Sequence, residues 1–305
     1  MNLRNKLIHL ISKNEKLYVI TKQARLKSLM IFGKLIPDKT YIKLQYRLRL
    51  GKKLNLKYPV LFNEKIQYAK LYYRNPELKE LVDKYEVRKY VERKIGKKYL
   101  TELYGVYNCV DEIPFDELPE KFVMKLTNGS SYNYICPSKD SKTRSEIEYR
   151  FKKWMTVDFY MLGREWAYKD VRNRIICEEL LETNDRHGLN DYKIFCFNGI
   201  PKIIQVDFSR FVNHKRNFYT PEWEFVDEVV EYDNDPTADI PKPVNLNEML
   251  ECAKILSEGF PQVRVDFYDV DGRLVFGEMT FYHGAGYLHF KNHKFELEMG
   301  EYWNV

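Results

Sequence analysis

No run in this 305-residue sequence approaches the roughly 20 apolar residues that a membrane-spanning helix requires. The longest are a few residues, such as Ile175-Ile176-Cys177. The first ten residues carry Arg4 and Lys6, but no continuous apolar stretch and no small-residue cleavage site. No secretory leader is read there, and a cytoplasmic location is expected. Cysteine is sparse: Cys109, Cys136, Cys177, Cys196 and Cys252 are scattered, without a Cys-x-x-Cys. That argues against a disulfide framework or a zinc site and for reduced thiols. His289 and His293 stand four apart with no third ligand nearby in sequence. The signatures G-x-x-x-x-G-K-[ST], G-x-G-x-x-G after a strand, G-x-S-x-G and H-E-x-x-H are all missing. P-loop, Rossmann, α/β-hydrolase and zincin readings thereby lose their main support. Repeats and low-complexity segments are also missing. With 44% apolar and 31% charged residues, the chain has the composition of a folded globular protein.

Positive charge is present but unevenly placed. Residues 1–57 hold fifteen Lys/Arg against Glu15 and Asp38, a net +13, so the rest of a chain with overall charge +6 carries −7. Such an arm attracts an anionic partner: phospholipid headgroups, a polyanionic glycan or nucleic acid. Leu3, Leu7, Leu10 and Ile11 recur at helical spacing, with Lys6 and Lys13 outside the stripe. A helix lying on a membrane has this pattern, and so does a basic helix packed on its own domain.

Helical signals dominate the first hundred residues. Pro37-Asp38 ends one helical region, Tyr41 to Leu50 forms another stopped by Gly51, and Phe62 to Tyr73 ends at Asn75-Pro76. Glu77 to Ile95 reads as one helix closed by Gly96. The texture then changes. Phe122 to Leu126 is a strand followed by the polar loop Thr127–Ser131, and Ser145 to Met155 is a helix. Strands are expected at Arg174–Leu181, Tyr192–Phe197, Pro201–Asp207, Gln262–Tyr268 and Arg273–Phe281. A helix over Leu246–Glu258 interrupts them, with Asn245 or Asn247 as its cap and Gly259 at its end. This mixture points to an α+β or mixed α/β fold rather than a doubly wound parallel sheet.

Three local features carry chemistry. In Val263–Tyr268, alternation puts Arg264, Asp266 and Tyr268 on one face, and in Leu274–Thr280 it groups Phe276, Glu278 and Thr280. Asp271-Gly272 marks the hairpin. A two-residue loop would place Asp266 and Glu278 on opposite faces. A three-residue loop, Val270–Gly272, pairs Arg264 with Glu278 and sets Asp266 one diagonal step away, and that register is preferred. Two such carboxylates repel unless a cation lies between them, and oxygen ligands of this kind suit Mg²⁺. An Arg264–Glu278 ion pair holding the hairpin reads equally well. Lys125 lies inside an apolar strand, where an ammonium needs an anion. Asn128-Gly129-Ser130-Ser131 after it offers N–H groups and hydroxyls to a phosphate, although an edge-strand lysine before a turn has the same pattern. Lastly, Ile175 to Leu181 ends in Glu178-Glu179, where carboxylates meet a nucleoside or simply solvent.

The order of these parts resembles the ATP-grasp superfamily. More narrowly, the chain is similar to the TupA-like ATP-grasp proteins of bacterial surface-polysaccharide clusters, of the teichuronopeptide biosynthesis type. The match is carried by Phe62-Asn-Glu-Lys-Ile-Gln, Asp83-Lys-Tyr, Phe122-Val-Met-Lys, Leu162-Gly-Arg-Glu-Trp166, Asp191-Tyr-Lys, Phe195-Cys-Phe-Asn-Gly199, Asn213-His-Lys-Arg-Asn-Phe-Tyr219, Gly259-Phe-Pro, Val263-Arg-Val-Asp and Phe276-Gly-Glu-Met-Thr-Phe281. It covers roughly residues 40 to 300. The resemblance implies an α+β ATP-grasp fold with two lobes clasping ATP. The expected division is a basic helical arm at 1–57, a helical region at 58–115, a first lobe at 116–181 and a second lobe with the metal hairpin at 182–305. It implies a ligase that activates a carboxylate as an acyl phosphate and joins it to an amine, with ATP and Mg²⁺. Lys125 and Lys84 would meet the phosphates under a lid of Asn128, Gly129, Ser130 and Ser131. Glu179 and Leu181 would meet adenine, and Glu182 or Asp185 the ribose. Lys193 would lie near the γ-phosphate, and Asp266, Glu278 and Thr280 would hold the metal. Arg264 would stabilise the oxyanion, and Arg210, His214, Lys215 and Arg216 would hold the acidic substrate or the γ-phosphate. Thr280 stands where many ATP-grasp enzymes have Asn, leaving one or two Mg²⁺ open.

The function so read is amide formation on a bacterial surface polysaccharide, for example an amino acid joined to a uronic acid. Peripheral membrane contact through residues 1–50 at the inner face goes with it, and nucleic acid is not expected as a partner. The competing reading is a nucleotide-sugar glycosyltransferase of capsule or O-antigen synthesis using Asp269-Val-Asp271 as a metal-binding D-x-D.

Overall fold

The computed structural model describes residues 33–305 apart from 141, 184–187, 210–212 and 239. The Leu3–Ile11 stripe, Asp185 and Arg210 lie outside the described residues. After a 3-10 turn at Gly33–Leu35 come helices α1 (Asp38–Leu50), α2 (Phe62–Tyr72), α3 (Leu78–Leu81) and α4 (Val87–Lys94). Gly51 ends α1 in the left-handed conformation (φ 70°), its N–H bonding Arg47 O at 3.0 Å. Glu64 fixes the entry to α2. Its carboxylate accepts the N–H groups of Asn55, Val60 and Leu61 at 3.2, 3.1 and 3.3 Å.

The helix expected over Glu77–Ile95 is two helices. Asp83 Oδ1 accepts the N–H groups of Tyr85 and Glu86 at 2.9 and 3.0 Å, which ends one helix and starts the next. Asp83 Oδ2 receives Arg174 at 3.1 Å. The break turns Lys84 away from the helix axis, and its N–H donates to Thr127 O at 2.6 Å.

Strands β1 (Leu103–Tyr107), β2 (Phe122–Leu126), β3 (Asn133–Cys136) and β4 (Ile175–Glu178) form an antiparallel sheet in the order β1-β4-β2-β3. Helices α5 (Thr143–Trp154) and α6 (Phe159–Gly163) pack on it through Ile147, Phe151 and Phe159. The second sheet runs β10-β9-β5-β6-β7-β8, with β5 (Asp191–Phe197), β6 (Ile200–Phe208), β7 (Lys215–Tyr219), β8 (Phe225–Val226), β9 (Gln262–Val270) and β10 (Arg273–Thr280). The edge strands β1 and β3 and the polar β7 and β8 escaped the sequence reading because none has the apolar alternation of a half-buried strand.

Every residue of β5 is buried. Tyr192, Ile194 and Cys196 face helix α7 (Leu246–Ser257), where Leu246, Met249 and Ala253 join the same core. Asn245 stands at the cap position of α7, but its side chain makes no capping bond. On the other face of β5, Phe195 and Phe197 meet Phe62 of α2 at ring separations of 6.2 and 6.3 Å. Asp191 and Lys193 lie beyond that apolar cover and begin the site. Helix α8 (His293–Glu301) closes the chain against α2, where Asn63 Nδ2 donates to Glu296 at 2.7 Å.

The β9–β10 hairpin corrects the expected register. Its loop is the two-residue turn Asp271-Gly272 (φ 52° and 92°), with Val270 opposite Arg273. A bulge between Phe276 and Glu278 then inserts one residue, Gly277. Glu278 therefore pairs with Asp266 and Thr280 with Arg264, so the expected shared face is kept through a different device.

Candidate active site

The second sheet presents a layer of buried charge. Arg264 lies along Asp266, its Nε and Nη2 each donating to one carboxylate oxygen at 2.6 Å. The same Nη2 reaches Glu278 Oε1 at 2.9 Å and Thr280 Oγ1 at 3.0 Å. Nη1 meets His283 Nδ1. Burial, reinforced by Arg264, pushes the His283 imidazole well below its ordinary value, so the ring is neutral and accepts from the guanidinium. Lys193 Nζ contacts Asp191 and donates to Asp266 Oδ2 at 2.9 Å. Farther along the same face, Arg216 clamps Asp207 through Nε (2.6 Å) and Nη2 (3.1 Å). Strand pairing explains the grouping: Lys193 opposes Asp266, Asp191 opposes Asp207, and Asp207 opposes Arg216. Asp191, Asp207 and His283 were not singled out from the sequence, because only cross-strand register reveals them.

This layer contains Asp191, Asp207, Asp266 and Glu278 against Lys193, Arg216 and Arg264, one more acid than base. Burial would raise the Glu278 carboxyl, but Lys84, Arg264 and Lys193 outweigh it and hold the group at about 2. Its side chain is still 39% exposed. Oε1 is engaged by Arg264 and Thr280, while Oε2 has no bond among the described residues. Two adjacent carboxylates, one with a free oxygen, fit a hard divalent cation that keeps waters and phosphate oxygens as further ligands. No group of three His, Cys, Asp or Glu residues spaced for a metal occurs among the described residues, so the protein would supply only part of the shell. Thr280 donates its hydroxyl proton to Glu278 at 3.0 Å and accepts from Arg264. It thereby steadies Glu278.

The first sheet supplies the facing cations. Lys125 donates to Glu178 Oε2 at 3.0 Å, while Arg88 and Thr101 hold Oε1 at 2.7 and 2.6 Å. Glu178 itself is buried. Burial opposes its charge, but Lys125, Thr101 and Arg88 bring the carboxyl below its ordinary value. The sequence reading favoured Glu179. Lys125 and Glu178 lie on one face across the β2–β4 register, and only that register tells Glu178 from Glu179.

Lys84 Nζ donates to Gly129 O at 2.8 Å. Burial lowers its pKa, opposed first by Glu278, so the Lys84 ammonium beside the first sheet and the Glu278 carboxylate of the second act on each other. Asn128 is buried and donates to Val171 O at 3.3 Å. Gly129 (φ 74°) rests on the Phe159 ring, where a Cβ would come within 2.2 Å of a ring carbon. Ser130 and Ser131 alone stand exposed at the tip. The loop expected as a flexible lid is thus anchored at its base and free only at those two serines.

Other expected residues are placed differently. Glu179 is tied to Arg273 at 2.6 Å, and its N–H is committed to Glu102 O. The backbone of Leu181 makes no hydrogen bond among the described residues. Glu182 pairs outward with Lys121 at 2.8 Å. The basic run at 214–216 is split by strand alternation: His214 lies 3.4 Å from Asp207 beside Arg216, whereas Lys215 points to Asp233 at 3.8 Å. Lys215 and Arg216 therefore do not form one anion-holding cluster. Asp269 accepts Gly272 N–H and Asp271 accepts the Thr183 hydroxyl, at 2.8 and 2.9 Å. Both serve the turn and the linker.

One further buried charge pair centres on Lys70 and Glu165. Lys70 is buried and donates to Gly163 O and Ala285 O at 2.9 and 2.5 Å. Burial, opposed by Glu165, lowers it to about 7. The Glu165 carboxylate makes no hydrogen bond or ion pair among the described residues, and burial raises its pKa, opposed by Lys70. Burial raises the Tyr168 hydroxyl well above its ordinary value, and the charges of Glu165 and Glu278 add to the shift.

Comparison with known proteins follows from this geometry. A family model described as TupA-like ATPgrasp matches residues 64–304, roughly four-fifths of the chain. No curated protein matches by sequence. Among solved structures, D-alanine–D-alanine ligase from Bacillus anthracis is 17% identical with a TM-score of 0.41, covering 66% of this chain and 57% of that one. N5-carboxyaminoimidazole synthetase from Staphylococcus aureus complexed with ADP is 12% identical with a TM-score of 0.43, covering 72% and 52%. D-alanine–D-alanine ligase from Helicobacter pylori is 17% identical with a TM-score of 0.41, covering 79% and 69%. The chain thus spans little more than half the length of the first two.

Proposed function

We propose that this chain, which belongs to the TupA-like ATP-grasp family, is an ATP-dependent ligase that joins a carboxylate to an amine. The observation that carries this reading is the Arg264–Asp266–Glu278 network with Lys84 in electrostatic reach of Glu278 and of Lys125; the space between them is taken as the nucleotide cleft. In the first step an oxygen of the substrate carboxylate attacks the γ-phosphorus of ATP. The bond to the β-bridging oxygen breaks and ADP leaves. In the second, the amine attacks the acyl carbon, phosphate departs, and the nitrogen loses a proton.

Phosphoryl transfer of this kind needs positioning and charge neutralisation above all. Lys125 and Lys84 supply fixed positive charge beside the turn 128–131, whose exposed Ser130 and Ser131 are free to meet phosphate oxygens. The uncommitted backbone of Leu181 suits an adenine edge, with Glu179 beside it. Glu182 would have to leave Lys121 to reach a ribose. Asp266 and Glu278 would hold Mg²⁺, which when bound would neutralise charge on the phosphates. Lys193 sits beside them for the γ-phosphoryl group. Arg264, fixed by four side-chain acceptors, is preorganised to stabilise an oxyanion without rearranging.

The proposed acid is a carboxylate of a bacterial surface polysaccharide, such as a uronic acid receiving an amino acid. The motif resemblance supports this substrate class. A cytoplasmic enzyme meeting its substrate at the inner face of the membrane goes with it.

The test is a screen of uronic and other carboxylic acids with ATP and hydroxylamine, reading hydroxamate and ADP together. At least one acid should give both in equal amounts, and Arg264→Ala should abolish them. If no acid yields hydroxamate while a UDP-sugar is turned over, the ligase reading fails.

A further inference from the structure

We infer that the outer face of α1 and the loop 51–57 together form a docking site for an anionic phospholipid surface. Lys39 and Lys43 of α1 and Lys53 and Lys57 of the loop line a groove of about 550 Å³, floored by Leu54, Asn55 and Leu56. No acid lines it. None of the four lysines forms an ion pair among the described residues. Over residues 33–57 there are eight Lys/Arg and a single acid, Asp38. That acid is turned inward, contacting the Tyr160 hydroxyl and lying 3.5 Å from Arg164. The groove therefore offers positive charge with no acidic partner; the Lys57 ammonium also lies 5.1 Å from the Tyr58 ring.

The scaffold beneath is fixed. Leu54 is buried against Tyr41, Ile42 and Tyr46. Asn55 Oδ1 accepts the N–H groups of Lys57 and Tyr58, both at 3.1 Å. Glu64 fastens the same loop from α2. The four ammonium groups are held around one hollow rather than scattered on a mobile tail.

Apolar side chains beside the lysines favour a lipid surface over a soluble anion. Tyr41, Ile42, Gln45 and Tyr46 point α1 into the protein. The opposite arc carries Lys39, Lys43 and Arg47 and then Leu44 and Leu48, which are 48% and 45% exposed. Leu35 (80%), Tyr58 (67%) and Val60 (51%) extend the patch. A free phosphate would need only the cations. Cations interleaved with exposed leucines and a tyrosine match the headgroup and upper acyl region of an anionic bilayer. No helix of the described residues is long and apolar enough to cross a membrane, so the contact is peripheral. This inference is independent of the ligase reading.

The test is flotation of the full chain with vesicles of equal parts phosphatidylglycerol and phosphatidylcholine, beside pure phosphatidylcholine vesicles. The chain should float with the anionic vesicles only, and less as salt rises. Each ammonium near such a surface contributes roughly fivefold in partitioning. Lys39→Gln, Lys43→Gln, Lys53→Gln and Lys57→Gln combined should therefore lower binding by at least about tenfold, with an unchanged melting temperature. The corresponding four Lys→Arg changes should retain binding, which keeps the test decisive if the Gln variant is unstable. Leu44→Ser with Leu48→Ser should weaken binding while preserving its salt dependence. Failure of the wild type to float, or undiminished flotation of the Gln variant, overturns the proposal. So does tighter binding to a short DNA duplex than to the vesicles, lost in the same variant.

Discussion

Asp207 illustrates how single residues hold the charged layer together. Burial alone would raise its carboxyl, but Arg216, followed by Lys193 and His214, brings it from 3.8 to about 2. A carboxylate depressed in this way contributes stability that is present above about pH 4 and is lost as pH falls through about 2. Asp207→Asn should therefore destabilise the protein at neutral pH. The gap between the wild type and the variant should narrow by on the order of 2 kcal/mol between those limits. Urea denaturation across that pH range measures it, and a gap independent of pH would contradict the assignment. At this scale the sequence was partly legible. Lys125, Arg264, Asp266 and Glu278 stand out because a charge inside an apolar alternation needs a partner. Glu178, Asp191 and Asp207 do not, because their partners come from strands distant in the chain. Two adjacent glutamates give no hint of which one faces Lys125 until the β2–β4 register is known.

At the scale of elements, two small irregularities build the site. The bulge at Gly277 restores Glu278 to the face of Asp266 after a two-residue turn would have removed it. The break at Asp83 divides a helix and delivers Lys84 to the loop after β2. Strand and helix periodicity are visible in sequence, whereas a one-residue bulge or an aspartate that caps in mid-helix depends on tertiary contacts. Hence the hairpin and its charged residues were expected, while its register and the α3–α4 division were not. The loop itself is testable. In Gly129→Ala the new Cβ would lie 2.2–2.4 Å from three carbons of Phe159. That ring is held by Tyr132 at 5.0 Å and Tyr168 at 6.4 Å, so the loop must move instead. The left-handed backbone adds a cost of roughly 1–2 kcal/mol. The variant should melt lower and bind ATP more weakly, as read by isothermal titration. Unchanged ATP affinity would remove this loop from the nucleotide site.

Across the whole molecule, two antiparallel sheets bring opposite charges within electrostatic reach of each other. The first carries Lys125 with the neighbouring Lys84, and the second carries Glu278 and Asp266. The linker between the sheets is fastened at several points, including Glu179 to Arg273 and Thr183 to Asp271. The overall α+β character and the β9–β10 hairpin with its charged residues were readable from the order of motifs. The separation of the basic run at 214–216 was not, because alternation within β7 sends neighbouring side chains to opposite faces. The central claim is that the cleft binds ATP together with a divalent cation through Glu278. The direct measurement is the melting temperature with ATP, with and without Mg²⁺, for the wild type and Glu278→Gln. A ligand at about 100 times its dissociation constant adds roughly 2.7 kcal/mol, a shift of a few degrees for a chain of this size. The account predicts that shift for the wild type with ATP and Mg²⁺, and a much smaller one for Glu278→Gln. No response to ATP, with stabilisation by UDP or a UDP-sugar instead, would contradict it.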